Sequence, residues 1–83
     1  MLALVIEAIR VLSRKGVLPR DLAARALDGP TRIDDLAIDS LGKLSLLSEL
    51  EERADVALSE GMIAGIDTLN DLANVVKKAG GRP

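Results

Sequence analysis

Residues 39–54 have the sequence DSLGKLSLLSELEERA, and this stretch decides the fold. Its apolar residues recur at three- and four-residue intervals, which is typical of an amphipathic α-helix. Either Asp39 or Ser40 can cap the exposed N–H groups of such a helix, so we predict that it opens there and runs to about Ala54. At about 100° per residue, four apolar side chains fall on one stripe that we expect to face the core: Leu46, Leu47, Leu50 and Ala54.

Two further leucines of this helix, Leu41 and Leu44, fall well away from the buried stripe, next to the helix start. A long loop could fold over them, in which case they belong to the core. Alternatively, they form an apolar docking patch beside Ser40. The sequence alone leaves both interpretations open.

The chain before this helix is predicted to hold one more helix and a long connection. Residues 1–14 carry an apolar stripe typical of a helix, formed by Leu2, Val5, Ile6, Ile9 and Leu12, and Gly16 is a suitable stop. Residues 16–30 form a connection whose structure the sequence leaves open, although residues 21–27 could form a turn or two of helix. Residues 31–39 are predicted to be a loop with three apolar anchors: Ile33, Leu36 and Ile38.

Two helical segments are predicted after Ala54. Ser59 is expected to cap a short one that holds Met62, Ile63 and Ile66, and two glycines make it weak. The last helix begins at residues 68–71, an arrangement close to a capping box, and ends at Gly80-Gly81. Its buried face is expected to consist of Leu69, Leu72, Val75 and Val76.

These segments predict an all-α fold without strands. It is a small four-helix bundle with three main helices, one short helix and a long first loop. Residues 1–79 are expected to form a single domain, since 83 residues leave no room for a second core. Residues 80–83 are expected to be a disordered tail.

The composition excludes most catalytic and cofactor chemistry. The chain has no cysteine, so disulfides and thiolate metal sites are excluded, and no histidine, the most common general base and zinc ligand. Without aromatic residues it has no stacking platform for bases or flat cofactors. We therefore expect no catalytic residue, no metal site and no enzymatic activity. Its apolar runs are too short to span a bilayer, so we expect a cytoplasmic protein that does not enter a membrane.

The net charge of −2 conceals an uneven distribution. Residues 1–33 hold six bases and three acids, whereas residues 34–71 hold ten acids and two bases. An acidic middle disfavours nucleic acid and favours a partner protein with a basic surface. The alternative is a solvated surface that merely keeps the protein in solution.

Ser40 is the residue on which the functional hypothesis depends. A serine needs a neighbouring base to act as a nucleophile, and the carboxylate of Asp39 activates a hydroxyl poorly. Ser40 is therefore better explained as the substrate of another enzyme than as a catalyst. The start of a helix is also favourable for a phosphate ester, and Gly42 leaves the backbone open to close approach.

The tripeptide Asp39-Ser40-Leu41 resembles the Asp-Ser-Leu attachment motif of acyl carrier proteins and related thiolation domains. The resemblance continues without a gap from Asp34 to about Val76. It includes Asp-Leu before the motif, the helix leucines followed by Glu51-Glu52, and a short third helix before Thr-Leu-Asn-Asp-Leu. It implies a four-helix bundle of the acyl-carrier type. It also implies that a phosphopantetheinyl transferase attaches 4′-phosphopantetheine to the serine through a phosphodiester.

The resemblance assigns a role to each matching residue. Ser40 is similar to the serine that carries 4′-phosphopantetheine, and Asp39 is similar to the acid that helps to present it to the transferase. Ile63 and Ile66 lie where the family lines a cleft that can shelter the bound chain. The remaining positions are implied to dock partner enzymes: Leu41, Leu44, Glu49, Glu51, Glu52 and Asp55.

Departures from the family pattern indicate a specialised member. Gly42, Lys43 and Ser45 stand where fatty-acid-type carriers usually have acids, and Arg53-Ala54 replaces a frequent aromatic. We therefore predict a discrete, monomeric carrier of an acyl or aminoacyl thioester, for polyketide, modified-lipid or aminoacyl transfer rather than general fatty acid synthesis. Its partners would be acyltransferases, synthases or adenylating ligases with basic surfaces.

Two other functions are compatible with parts of the sequence. A small helical interaction or dimerisation module without a prosthetic group would explain the two outlying leucines and treat Ser40 as a simple helix cap. A helix-turn-helix DNA-binding protein is disfavoured, because the middle of the chain is acidic and a basic recognition helix is missing.

Overall fold

The computed structural model describes residues 1–80 and contains four α-helices: α1 (Leu2–Arg14), α2 (Ser40–Ala54), α3 (Glu60–Ile63) and α4 (Leu69–Gly80). Within these residues there is no β-strand, only an isolated antiparallel bridge between Arg32 and Thr68. The predicted all-α bundle with three main helices and one short helix is confirmed. No described helix is long and apolar enough to cross a membrane.

Helix α1 packs against α2 and α4 through the predicted apolar stripe. Val5, Ile9 and Leu12 are buried, whereas Leu2 and Ile6, at the margins of the stripe, are half-buried. The pattern did not reveal Ser13, which is fully buried. Its hydroxyl is satisfied inside the helix, because it donates a hydrogen bond of 2.7 Å to the carbonyl of Ile9. The buried face of α1 is therefore wider than its apolar residues alone indicate.

The long connection contains two short 3₁₀ helices, Arg20–Ala23 and Ile33–Leu36. The first buries Leu22 and is held to α1 by Arg10, which donates a hydrogen bond of 2.8 Å to the carbonyl of Ala23. The second lies where a plain loop was expected. Its Ile33 and Leu36 are nevertheless the buried anchors that the sequence predicted, and the third anchor, Ile38, is half-buried.

Residues 29–33 and 67–70 lie side by side and form what we term the clasp. Three backbone hydrogen bonds of 2.8 to 3.0 Å join them: from Ile33 to Asp67, from Leu69 to Thr31 and from Asn70 to Gly29. Gly29 has no Cβ atom, which leaves room for the Asn70 side chain to lie against it. The clasp fixes the segment that precedes Ser40 against the start of α4.

Helix α4 begins with the capping box that the sequence predicted. Asp71 N–H donates to the Thr68 hydroxyl at 3.2 Å, and Thr68 N–H donates to the Asp71 carboxylate at 3.1 Å. Leu69, Leu72 and Val76 are buried, and Val75 is half-buried. The helix includes Gly80, which was expected in the tail. The rest of the predicted tail, residues 81–83, lies outside the described residues.

Helix α3 is a single turn, and its first residue follows Ser59. The prediction for this helix is wrong in two respects. The Ser59 side chain makes no capping hydrogen bond, and Ile66 lies beyond the end of the helix at Ile63. The Ser59 backbone carbonyl instead accepts a hydrogen bond of 3.0 Å from Met62 N–H. No residue of α3 is fully buried, so this helix lies on the surface of the bundle.

Candidate functional site

The site is built around the first turn of α2, which is capped by Asp39 and not by Ser40. The Asp39 carboxylate accepts a hydrogen bond of 2.7 Å from Gly42 N–H, and its carbonyl accepts one of 2.9 Å from Lys43 N–H. Ser40 is therefore the first helical residue, and its side chain is exposed. The N–H groups of Ser40 and Leu41 make no hydrogen bond within residues 1–80. An exposed hydroxyl thus stands beside unpaired backbone donors.

Ala37 turns the chain into this helix. It has φ 54° and ψ 38°, the left-handed conformation, although it carries a Cβ atom. This turn ends the second 3₁₀ helix and lets Asp39 adopt the extended conformation typical of a helix N-cap. The position of Ser40 thus depends on one strained residue three positions earlier.

Gly42 is buried, and a Cβ atom there would lie 2.8 Å from Ile38 Cγ2 and 2.9 Å from Leu18 Cδ2. We expected Gly42 to leave the backbone open to close approach. The groups that approach it are side chains of this chain. Gly42 thereby lets the long connection pack directly on the first turn of α2, which holds that turn in place.

A cleft of about 420 Å³ lies beside Ser40, between α2, the α3 region and the segment before α2. Its apolar lining includes Ile33, Leu46, Leu47, Leu50, Ile63, Ile66 and Leu72. Its charged and hydroxyl-bearing lining residues are Asp34, Ser40, Lys43 and Glu60. Ile63 and Ile66, which the resemblance assigned to a cleft, therefore do line one.

The two outlying leucines stand in solvent. Leu41 is 74% exposed and Leu44 is 42% exposed, so no loop folds over them. Leu44 also lines the cleft, and Met62 of α3 is 48% exposed. Leu41 and Leu44 therefore leave exposed apolar surface next to Ser40 on the same helix.

The four acids predicted to dock partners are not equivalent. Glu49 forms an ion pair of 2.7 Å with Arg53, one turn further along α2. Glu51 accepts a hydrogen bond of 3.0 Å from Leu58 N–H, which ties the end of α2 to the chain before α3. Glu52 and Asp55 are exposed, and Asp55 ends the helix in the left-handed conformation. The Glu52 and Asp55 carboxylates are the two that point to solvent without such a bond.

Ser40 has no activating neighbour in the described structure. Its hydroxyl makes no side-chain hydrogen bond within residues 1–80, and the nearest carboxylate in sequence, that of Asp39, is occupied by Gly42 N–H. No group of three or more acidic side chains in these residues is placed to hold a metal ion. The described residues therefore place no base against the Ser40 hydroxyl.

The model of the phosphopantetheine attachment site family matches residues 15–76 of the chain. The chain belongs to this family. No curated protein and no solved structure shows significant similarity to it. Members of the family carry 4′-phosphopantetheine, attached covalently to a serine.

The residues at the start of α2 fit such a group. A phosphodiester is an anion, and the positive end of a helix with two unpaired N–H groups favours a negative charge. Lys43, one turn further along, adds a cation. Ser40 and the N–H groups of Ser40 and Leu41 are the groups that would hold the phosphate.

Proposed function

We propose that the chain is a carrier protein and that Ser40 is its attachment residue. The observation that carries this proposal is the exposed Ser40 of the Asp-Ser-Leu motif, at the first position of α2 and inside the matched region. When bound, the prosthetic group supplies a terminal thiol on which an acyl or aminoacyl cargo is held as a thioester. The chain makes and breaks no bond itself, since it has no histidine and no base contacts Ser40 within residues 1–80.

The task of the chain in this function is presentation. Asp39 caps the first turn and keeps Ser40 at a fixed, exposed position, where a phosphopantetheinyl transferase reaches its hydroxyl. The packing of Ile38 and Leu18 on Gly42 keeps the same turn from fraying. The apolar cleft beside it, with Ile63 and Ile66, offers shelter to an apolar cargo.

Partner enzymes would dock on the exposed face of α2. Leu41 and Leu44 supply apolar contact next to Ser40, and Glu52 and Asp55 supply negative charge about three to four turns away. Glu49 and Glu51 belong to the same acidic helix, but their bonds to Arg53 and Leu58 restrict them to long-range attraction. Partners with basic surfaces, such as acyltransferases, synthases or adenylating ligases, suit this face.

We also propose that the carrier is a monomer in the cytoplasm and serves a specialised pathway, such as polyketide, modified-lipid or aminoacyl transfer. The start of α2 supports the specialised pathway. Lys43 is exposed where an acid would favour a fatty acid partner, and like charges at a docked interface are penalised. We expect a malonyl transferase of general fatty acid synthesis to load the carrier poorly and to load Lys43→Glu better. Efficient loading of the unsubstituted protein would contradict the specialised pathway.

The rival function is a helical interaction or dimerisation module without a prosthetic group. Its support is the pair of exposed leucines beside a free helix face. A fluorescent coenzyme A and a broad-specificity phosphopantetheinyl transferase separate the two hypotheses. A carrier becomes covalently fluorescent on a denaturing gel, and Ser40→Ala does not. A module without a prosthetic group gains no fluorescence, either as the unsubstituted protein or as Ser40→Ala.

A further inference from the structure

Lys43 occupies a distinctive position relative to Ser40. The two residues are three apart on α2, a spacing that places side chains on the same helix face about 5–6 Å apart at Cβ. Both line the cleft, and among the lining residues that the structure describes Lys43 is the one cation, whereas Asp34 and Glu60 are acids. The positive charge nearest to Ser40 on this rim therefore comes from Lys43.

The Lys43 ammonium has no ionic partner in the described structure. The ion pairs within residues 1–80 are Arg14–Glu7 and Arg53–Glu49, so neither Asp34 nor Glu60 comes within 4.0 Å of it. Asp39, the acid nearest in sequence, directs its carboxylate to Gly42 N–H. Lys43 is therefore available to an anion that arrives at Ser40.

We propose that Lys43 binds the phosphate of the phosphopantetheine group on Ser40 and directs the root of the arm towards the cleft. This inference rests on the proposed function and deepens it. Asp34 and Glu60 alone would give the cleft rim a negative charge and repel a phosphodiester. Lys43 offsets this repulsion on the side that Ser40 faces. Without Lys43 we expect the arm to lie over the cleft less often and to extend more often past the exposed Leu41 into solvent.

The contact between Lys43 and the phosphate favours one position of the arm without fixing it. An exposed ion pair shifts an equilibrium by up to about five-fold, and salt screens it. A docking partner can therefore release the arm by offering a carboxylate to Lys43 or a cation to the phosphate. Lys43 is accordingly a positioning residue.

The absence of cysteine makes this inference testable on the whole protein. The thiol of the arm is the single thiol after loading, so a nitroxide attaches there alone. Paramagnetic broadening of the Ile63 and Ile66 backbone amides then reports how often the arm lies over the cleft. The variants are Lys43→Gln, Lys43→Arg and, as a matched control, Lys15→Gln, an exposed cation at the end of α1. Spectra of the unloaded variants establish that each retains the fold.

We expect the unsubstituted protein, Lys43→Arg and Lys15→Gln to show the same broadening at low salt. Lys43→Gln should show a roughly two- to five-fold smaller population over the cleft, and high salt should bring all four proteins to that level. Equal broadening in Lys43→Gln and the unsubstituted protein at low salt, or none at Ile63 and Ile66 in either, overturns the inference. Failure of Ser40 to gain the group, judged by intact mass before labelling, would instead overturn the proposed function.

Discussion

Two residues with little or no side chain, Ala37 and Gly42, determine how Ser40 is presented. Ala37 turns the chain in a left-handed conformation, and Gly42 admits Ile38 and Leu18 to the first turn of α2. Both residues act by setting the path of the backbone. We therefore expect a substitution at either one to change the free energy of unfolding measurably.

Gly42→Ala should destabilise the protein. The new Cβ would lie 2.8 Å from Ile38 Cγ2 and 3.1 Å from the capping oxygen of Asp39, so the packing and the cap must shift together. We expect a loss of about 1–3 kcal/mol in urea unfolding, as for other overpacked sites. Gly61→Ala is the matched control, since its Cβ would meet nothing closer than the Ser59 hydroxyl at 3.9 Å. An equally stable Gly42→Ala would show that this packing does not hold the first turn.

Ala37→Gly should have the opposite effect. Glycine removes the left-handed penalty of about 1–2 kcal/mol, and its greater freedom in the unfolded chain takes back about 0.4–1 kcal/mol. The expected result is a net gain of about 0.5–1 kcal/mol in the same unfolding measurement. Ala24→Gly, at an exposed position with φ −109°, should instead lose stability. A loss at both positions would mean that the turn at Ala37 is not strained.

At the scale of the elements, the cap of α4 makes the fold sensitive to acid. The Asp71 carboxylate accepts hydrogen bonds from the N–H groups of Asp67 and Thr68, and these bonds lower its pKa. A carboxyl group with a lower pKa in the folded state stabilises the fold above its unfolded pKa and loses that contribution as the pH falls through the folded value. Asp71 therefore stabilises the protein fully above about pH 5.

Asp71→Asn tests this dependence. It removes the charge that the two N–H groups stabilise, so the acid limb of stability against pH, below about pH 5, should be shallower than in the unsubstituted protein. The stabilities of the two proteins should converge at the acid end. Thermal unfolding followed between pH 7 and pH 2 provides the comparison. Parallel curves over that range would exclude Asp71 as the group responsible.

Two neighbouring acids of α2 have different surroundings, since Glu51 accepts a structural hydrogen bond and Glu52 is exposed. We therefore expect their substitution to affect stability differently. Glu51→Ala leaves Leu58 N–H without its partner and should reduce stability by about 1–2 kcal/mol. Glu52→Ala should change stability by less than about 0.5 kcal/mol, because the side chain is exposed. Urea unfolding of the pair, with far-ultraviolet circular dichroism, distinguishes them. Equal losses would show that the hydrogen bond to Leu58 contributes nothing.

For the docking of partner enzymes, we expect the exposed acid Glu52 to matter more than Glu51. Glu52→Lys, combined with Asp55→Asn to suit the left-handed conformation, should slow cargo transfer to a partner enzyme at low salt and leave the helical content unchanged. Leu44→Ala should slow transfer at every salt concentration. A transfer rate that these substitutions leave unchanged would remove this face of α2 from the docking surface.

The sequence predicted the helices better than the contacts between them. Periodic apolar residues and caps are local features, which is why α1, α2 and α4 were predicted within a residue or two of their ends. The clasp was missed because backbone groups of residues 29–33 and 67–70 form it, and no side-chain pattern reports such pairing. For the same reason, no pattern separates Glu51, bonded to Leu58, from Glu52, which is not.

At the scale of the whole molecule, the candidate site combines features from distant parts of the chain. The clasp and the Glu51–Leu58 hydrogen bond hold the chain on either side of α3, and the cleft lies between that segment and α2. The sequence could suggest Ser40 and the cleft isoleucines through the family motif. It could not suggest that Lys43 shares the cleft rim with the acids Asp34 and Glu60, because that depends on how distant parts of the chain pack.

The central claim, that Ser40 alone receives phosphopantetheine, is tested most directly by intact mass. The unsubstituted protein, Ser40→Ala and the matched control Ser48→Ala, an exposed serine of the same helix, are incubated with coenzyme A and a broad-specificity transferase. We predict that the unsubstituted protein and Ser48→Ala each gain the mass of one phosphopantetheinyl group and that Ser40→Ala gains none. A modified Ser40→Ala, or an unmodified natural sequence beside a transferase that loads another carrier in the same reaction, would contradict the claim.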